Sequence, residues 1–131
     1  MKKTTLLHGE LSHLIATMGH GDALVIADSG LPVPAGTRCI DLAVTGGVPS
    51  FEQVLDAVLA ELQVEHATHA TELLSRSPAT EAALRARLPG TPLTHVPHAA
   101  FKELTRGARA IVRTGEFTPY ANVILYAGVV F

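Results

Sequence analysis

One stretch near the start of the chain decides its fold: Met18-Gly19-His20-Gly21-Asp22-Ala23-Leu24-Val25-Ile26-Ala27-Asp28-Ser29-Gly30. Residues 23–27 contain no polar side chain and are β-branched at two positions, which is typical of a parallel strand covered on both faces in the middle of a sheet. Asp28 follows the carboxyl end of this strand, where open α/β sheets bind ligands. His20 precedes the strand between two glycines, so we expect its ring to stand clear of its neighbours.

Both polar residues also have a simpler interpretation. A histidine between a helix and a strand is commonly a solvated turn residue, and an aspartate after a strand is commonly a turn former. The remainder of the sequence is needed to choose between the two interpretations.

Apolar residues at helical spacing alternate with short β-branched runs along the rest of the chain. The spacing predicts helices over 11–18, 50–62, 79–88 and 97–104, and strands over 23–27, 38–44, 93–96, 108–112 and 123–126. Ser50 and Gln53 match a capping box, whereas 64–70 fits either a strand or the start of the next helix. The alternation predicts one domain over 1–131, of the α/β class, with a mainly parallel central sheet and helices on both faces.

Composition narrows the class of protein. The net charge is −2 with no basic cluster, which argues against a nucleic-acid partner. No segment reaches the length of a membrane span, and the apolar part of the N-terminus is too short for a signal peptide, so we expect a soluble, cytoplasmic protein without a membrane partner. Because 47 % of the residues are hydrophobic and only 17 % are charged, we also expect a homo-oligomer.

Neither a metal nor a cofactor is predicted. The pairs His66-x-x-His69 and His95-x-x-His98 are weak metal signals, because no cysteine pair or His-Glu-x-x-His helix accompanies them. Thr45-Gly46-Gly47 lacks the spacing of a phosphate-binding loop. The single Cys39 excludes an intramolecular disulfide, and its apolar surroundings in the sequence predict a small core residue rather than a reactive thiolate.

Further candidate ligand-binding residues lie in the second half of the chain. Tyr120 and Asn122 are two residues apart, so in an extended chain their side chains point to the same side, although this stretch taken alone is more typical of a turn. His98 opens a predicted helix directly after a predicted strand, which places it near the carboxyl end of that strand.

Taken together, these residues carry a resemblance that covers both ends of the chain and fades between Glu65 and Pro97. The matching blocks are Gly19-His20-Gly21-Asp22, Asp28-Ser29-Gly30-Leu31-Pro32-Val33-Pro34, Ile40-Asp41-Leu42-Ala43, Gly47-Val48-Pro49-Ser50-Phe51, Arg113-Thr114-Gly115-Glu116, Pro119-Tyr120-Ala121-Asn122-Val123-Ile124 and Ala127-Gly128-Val129. In these blocks the sequence resembles the D-ribose pyranases. That family is similar to the L-fucose mutarotases, which usually have alanine and histidine after the aspartate where this chain reads Ser29-Gly30.

The resemblance implies an isomerase that interconverts the pyranose and furanose forms of D-ribose without a cofactor. It assigns His20 as the catalytic acid and Asp28, His98, Tyr120 and Asn122 as sugar-binding residues. It further implies a decamer of two stacked pentameric rings, with sites between adjacent subunits. An imidazole suits the reaction because its ordinary pKa of about 6.5 makes both protonation states accessible near neutral pH.

Three alternatives stay open at this point. The chain could be an L-fucose-type mutarotase, a non-catalytic sugar-binding or transport-associated subunit, or a metal-binding protein that uses the histidine pairs. The sequence alone does not identify the group that takes the anomeric proton, for which His98 and a water molecule are the candidates.

Overall fold

The computed structural model describes all of residues 1–131. The chain forms a six-stranded sheet with helices on both faces. The strands are β1 (Ala23–Ala27), β2 (Cys39–Asp41), β3 (Val64–Ala70), β4 (Leu93–Val96), β5 (Ala110–Arg113) and β6 (Val123–Ala127). The helices are α1 (Gly9–Thr17), α2 (Phe51–Leu59), α3 (Glu72–Arg76), α4 (Pro78–Arg87) and α5 (His98–Leu104), with a short 3₁₀ helix at Thr105–Gly107.

The strand order is β2-β5-β1-β6-β3-β4, which places β1 inside the sheet. All five residues of β1 are buried, so the predicted central strand is confirmed with its predicted bounds. β6 pairs antiparallel with both of its neighbours, while the other neighbouring pairs are parallel. Five strands therefore run one way and β6 runs against them, as expected for a mainly parallel sheet.

The reversed direction of β6 follows from its connection. No helix separates β5 from β6, and without a helical crossover the chain returns at the edge of the sheet that it has just left. Because β5 and β6 flank β1, the segment 114–122 has to cross the carboxyl end of β1. This crossing brings residues near the end of the chain to the residues that follow β1.

The core has two unequal layers, one on each face of the sheet. Leu24 and Ile26 of β1 face a cluster of 23 buried residues that includes Phe51 and Leu55 of α2. Val25 faces a cluster of only eight buried residues, to which α5 contributes Phe101. This alternation is the two-residue period of a strand that is buried on both sides.

The predicted helices are confirmed in position, and the capping box at the start of α2 is present, with the Ser50 hydroxyl accepting from the Gln53 amide. The ambiguous stretch 64–70 is a strand, β3, and it is followed by the unpredicted short helix α3. Every helix falls short of the length and apolar character that a bilayer crossing demands.

The prediction for Cys39 as a core residue is wrong. β2 has only three residues and lies at the edge of the sheet, so only its middle residue, Ile40, is buried and Cys39 is exposed. Partial burial and the neighbouring charge of Asp41 nevertheless raise the pKa of the Cys39 thiol, which keeps it protonated at neutral pH.

We call residues 114–122, which cross the carboxyl end of β1, the crossing segment. A substitution at Gly115 tests how tightly this segment packs. A methyl group on its α-carbon would lie 2.5 Å from the carbonyl oxygens of Thr45 and Val48, both of which belong to backbone. Gly115→Ala is therefore expected to lower the free energy of unfolding by about 1–3 kcal/mol, the usual cost of overpacking. Urea denaturation at a fixed protein concentration measures this change. Gly107→Ala is the control because nothing lies within 4 Å of the added methyl; equal midpoints for the two variants would contradict the prediction.

Candidate active site

The candidate site is centred on two reciprocal hydrogen bonds at the carboxyl end of β1. The backbone N–H of Asp28 donates to Oδ1 of Asn122 at 2.8 Å, and Nδ2 of Asn122 donates to Oδ2 of Asp28 at 2.9 Å. The amide of Gly30 donates to the other carboxylate oxygen, Oδ1, at 2.9 Å. Asn122 is fully buried and Asp28 is half-buried, so the carboxylate is held in one orientation at the edge of the sheet.

The crossing segment is fixed on both sides of this pair. The Thr114 hydroxyl donates to the Ala27 carbonyl at 2.8 Å, and the Ser29 amide donates to the Glu116 carbonyl at 2.9 Å. Burial by itself raises the pKa of the Glu116 carboxyl, but hydrogen bonds from the side chain of Thr118 and from backbone amides, including that of Phe51, outweigh burial and lower it. Glu116 thereby stays ionised and ties the segment to the start of α2.

Tyr120 adopts a backbone conformation that the sequence does not predict. Its φ of 62° lies in the left-handed region, within a turn in which the Ala121 amide donates to the Thr118 carbonyl. The expectation of an extended chain from Tyr120 to Asn122 is therefore wrong, and the alternative of a turn is correct. A bulky residue at positive φ is strained, and such strain is found preferentially at functional sites. The Ser77 hydroxyl donates to the Pro119 carbonyl at 3.0 Å and helps to hold the turn.

His98 packs against Tyr120 from the first turn of α5. Its ring meets the tyrosine ring edge to face, with centroids 5.0 Å apart and planes at 84°. Its backbone N–H donates to Oε2 of Glu72 at 2.9 Å, which anchors α5 to α3. The Nδ1 atom of His98 is buried and has no hydrogen-bond partner in the protomer. Buried polar atoms are normally paired, so this nitrogen is available to a ligand or a water molecule.

Four of the five predicted site residues thus form one cluster within the protomer. Asp28 contacts Asn122, Asn122 follows the Tyr120 turn, and Tyr120 contacts His98. We call Asp28, His98, Tyr120 and Asn122 the edge cluster. Its carboxylate, amide, phenol and imidazole groups can donate to and accept from hydroxyls, and the tyrosine ring can pack against C–H groups, as a neutral sugar requires.

His20 lies at the opposite edge of the sheet. It precedes β1, whereas Asp28 follows it, and the six residue-to-residue steps from Asp22 to Asp28 span roughly 20 Å in extended conformation. The structure of one protomer therefore does not bring His20 to the edge cluster. The His20 side chain is 62 % exposed, and its Nε2 lies 2.7 Å from Oε2 of Glu65.

The turn that carries His20 is held by Asp22. Oδ2 of Asp22 accepts from the Gly19 amide at 2.9 Å and from Nη1 of Arg109 at 2.6 Å. These two bonds, that from Gly19 first, lower the pKa of the Asp22 carboxyl. Gly21 has a φ of 81°, and its amide donates to the Ala127 carbonyl at 2.8 Å. A side chain at Gly21 would be strained, so this glycine allows the turn to present His20.

Two of the other histidines, His66 and His69, contact groups of the protein itself. His66 stacks on Tyr126 with ring centroids 4.1 Å apart, and the Nδ1–H of fully buried His69 donates to the Ala70 carbonyl at 2.8 Å. No group of three or more histidine, cysteine, aspartate or glutamate side chains is arranged to hold a metal ion.

Sequence reasoning missed Glu65, Glu72 and Glu116, which hold His20, His98 and the crossing segment respectively. Each is an isolated glutamate in the sequence, and its bond to His20, to His98 or to Phe51 of α2 forms only when distant segments come together. The capping box showed that a glutamate or glutamine can be recognised when its partner is local, and none of these three partners is local.

Comparisons with known proteins agree over the whole chain. Residues 1–130 match the RbsD / FucU transport protein family. D-ribose pyranases of Laribacter hongkongensis and Symbiobacterium thermophilum are 54 % and 56 % identical, each over the full length of both chains. Among solved structures, Bacillus subtilis RbsD complexed with D-ribose is 41 % identical with a TM-score of 0.97, and the fucose mutarotase of Streptococcus pneumoniae in complex with L-fucose is 26 % identical with a TM-score of 0.86; both matches cover all of both chains.

His69 is expected to make the stability of the protein depend on pH. Burial lowers the pKa of its imidazole, although the hydrogen bond to Ala70 opposes this, so the folded protein holds a neutral ring. Its Nε2 is 3.8 Å from Oε1 of Glu81, too far for a hydrogen bond. The unfolded chain takes up a proton below pH about 6.5, so stability that is present above that pH is lost as the pH falls through it.

His69→Asn retains an amide donor for the Ala70 carbonyl and cannot be protonated. Between pH 7 and pH 5, the urea midpoint of the wild-type protein is expected to fall further than that of His69→Asn. Denaturation curves at both pH values measure the difference, and parallel loss in the two proteins would contradict it.

Proposed function

The chain belongs to the RbsD / FucU transport protein family, and from this membership we propose that it interconverts the pyranose and furanose forms of D-ribose as an isomerase. Full-length relatives of more than half identical sequence are D-ribose pyranases, and a solved relative of the same fold is complexed with D-ribose. The observation in the protomer that carries the proposal is the edge cluster, in which the Asp28 carboxylate is fixed by Asn122 beside two aromatic rings.

The reaction needs proton transfer and no redox partner. In the pyranose, the anomeric hydroxyl loses a proton, the bond from C1 to the ring oxygen O5 breaks, and O5 gains a proton, which yields the open aldehyde. The 4-hydroxyl then attacks C1 and loses its proton as the carbonyl oxygen gains one. A positioned acid or base typically accelerates such steps by about 10²–10⁴-fold.

Each proposed residue has a distinct part in this scheme. His20 donates the proton to the ring oxygen. Asp28 accepts hydrogen bonds from sugar hydroxyls, and fully buried Asn122 holds Asp28 while retaining one N–H of its own. Tyr120 packs its ring on the sugar. The unpaired Nδ1 of His98, or a water molecule bonded to it, takes the anomeric proton.

The distance between His20 and the edge cluster supports a site shared by two subunits. We propose a homodecamer of two stacked pentameric rings in which His20 of one protomer meets the edge cluster of its neighbour. The protomer exposes large apolar residues that an assembly would cover, namely Leu7, Val44, Val48, Phe117, Val130 and Phe131. We further propose a cytoplasmic location, which the single, unpaired Cys39 supports.

L-fucose is the second candidate substrate, because the fucose mutarotase of Streptococcus pneumoniae shares the fold. The lower identity of that relative favours D-ribose. Exchange rates measured across ribose, other pentoses and fucose would rank the sugars.

Loss of the acid tests the mechanism. NMR exchange spectroscopy on D-ribose should show faster exchange between pyranose and furanose in the presence of the protein, and His20→Ala should lose about 10²-fold or more of that acceleration. His13→Ala removes an exposed histidine of α1 and is the control, with wild-type rates expected. Sugar binding by the wild-type protein without acceleration would instead identify a non-catalytic sugar-binding subunit.

A mixed assembly tests the shared site. His20→Ala and Asp28→Asn are each expected to be inactive alone. Co-expressed in equal amounts, they should regain about a quarter of wild-type activity, because a quarter of random interfaces combine an intact His20 with an intact Asp28. Purified mixtures of the separately assembled variants are the control. No recovery on co-expression would show that both residues must come from one protomer.

A further inference from the structure

Glu65 is the one side chain that the structure places on His20. The bond between Oε2 of Glu65 and Nε2 of His20 measures 2.7 Å, the length of a charge-assisted hydrogen bond. Both groups belong to the same protomer and lie at the sheet edge opposite the edge cluster. The contact therefore exists before a neighbouring subunit supplies the sugar-binding residues.

An irregularity in the sheet places Glu65 there. In the pairing of β3 with β6, Val64 is opposite Ala127 and His66 is opposite Tyr126, so Glu65 is an extra residue without a partner. A β-bulge of this kind re-aims a side chain, and bulges are over-represented next to active sites.

Gly128 allows the close approach at this bulge. A methyl group on its α-carbon would lie 3.0 Å from Cβ of Glu65, and its amide donates to the Gln63 carbonyl at 2.8 Å. Backbone contacts thus hold the start of β3 and the end of β6 together around Glu65.

The backbone that carries His20, the partner of Glu65, is also held in place. Asp22 and Gly21 fix the turn that carries His20, so little backbone freedom remains to be lost when the pair forms. The other charged or titratable groups nearby are His66, whose Nδ1 is 3.6 Å from Oε1 of Glu65, and Arg109, which is paired with Asp22. Ordinary surface ion pairs join flexible side chains, whereas this pair is anchored on a bulge and a tight turn.

We propose that Glu65 is a positioning residue for His20 and that it makes Nδ1 the nitrogen that exchanges protons with the sugar. This inference rests on the proposed function. An ionised carboxylate only accepts hydrogen bonds, so it keeps a proton on Nε2 in both charge states of the ring. The neutral ring then has its lone pair on Nδ1, and the charged ring has its transferable proton there.

Nδ1 of His20 donates a proton in the first step of the reaction and accepts one in the second. On ring opening, Nδ1–H gives its proton to O5 as the C1–O5 bond breaks and its electron pair moves to O5, while the base takes the anomeric proton. On closure, the 4-hydroxyl bonds to C1 and passes its proton to Nδ1, and the base returns its proton to the carbonyl oxygen. His20 ends in the state in which it began.

The tautomer of His20 can be observed without any substitution at Glu65. Solid-state NMR of sedimented wild-type protein labelled with ¹³C,¹⁵N-histidine distinguishes the two ring nitrogens, and His20→Ala identifies the resonances by their loss. The expected neutral ring carries its proton on Nε2 with a bare Nδ1. A neutral ring protonated on Nδ1 would overturn the inference, even if a variant at Glu65 failed to assemble.

Kinetics of Glu65→Gln supply the second readout. The loss of an orienting carboxylate is expected to lower kcat by about 10–100-fold, and KM for ribose should stay within about twofold because the sugar-binding residues are untouched. Glu65→Asp, which restores a carboxylate, should recover part of kcat. Glu10→Gln is the matched control: Glu10 forms an ion pair of 2.7 Å with Arg38 and its side chain is 47 % exposed against 39 % for Glu65.

The outcomes separate the two proposals. A wild-type protein that does not accelerate ribose exchange would overturn the proposed function. An active wild-type protein whose Glu65→Gln variant keeps the full kcat would overturn the role of Glu65 alone.

Discussion

Two hydrogen bonds between Asp28 and Asn122 join residues that are 94 positions apart in the chain. The candidate site is built around these two bonds. They form because β6 runs antiparallel beside β1 and begins at the edge where β1 ends. The segment from β5 to β6 has to cross that edge, which leaves Asn122 buried against the first residue after β1. A parallel β6 would start at the far edge, and Asn122 would then lie a full strand length from Asp28.

The same topology separates two kinds of chemistry. At the carboxyl edge of the sheet, Asp28, Tyr120 and His98 present groups suited to hydroxyls and to the faces of a sugar. At the opposite edge, His20 stands exposed on a tight turn with Glu65 behind it. In the proposed assembly, the reaction depends on docking the turn that carries His20 of one protomer against the edge cluster of its neighbour. The subunit interface, and not the fold of one chain, then sets the distance between the acid and the sugar-binding residues.

The sequence was sufficient for elements whose signals are local. β1 was recognisable because five consecutive apolar residues have one solution in an α/β sheet, and α2 because Ser50 and Gln53 form a capping box. β3 was ambiguous because it carries two histidines, a threonine and a glutamate, and tertiary pairing with β6 and β4 decides its state. The sequence wrongly predicts a buried Cys39 because the brevity of β2 and its position at the edge of the sheet are properties of the whole sheet.

The candidate site also contains some residues with local sequence signals and others whose positions depend on the whole fold. The residues that flank β1 make His20 and Asp28 candidates, whereas the left-handed conformation of Tyr120 and the bulge at Glu65 arise from contacts between distant segments. The resemblance in the first and last blocks of the sequence pointed to the residues of the edge cluster, and it is silent in the stretch that supplies Glu65 and Glu72.

The separation of His20 from the edge cluster has a genetic consequence. In a closed ring, every chain would serve two sites, giving the acid to one and the sugar-binding groups to another. A chain damaged at His20 would silence its neighbour's site while leaving its own intact, and a chain that cannot present either edge would silence both. Normal chains would lose no activity to partners damaged at His20 alone, because each intact His20 would still meet an intact edge cluster. Partners damaged at both edges would take sites away from normal chains, a dominant effect that a self-contained monomeric enzyme does not show.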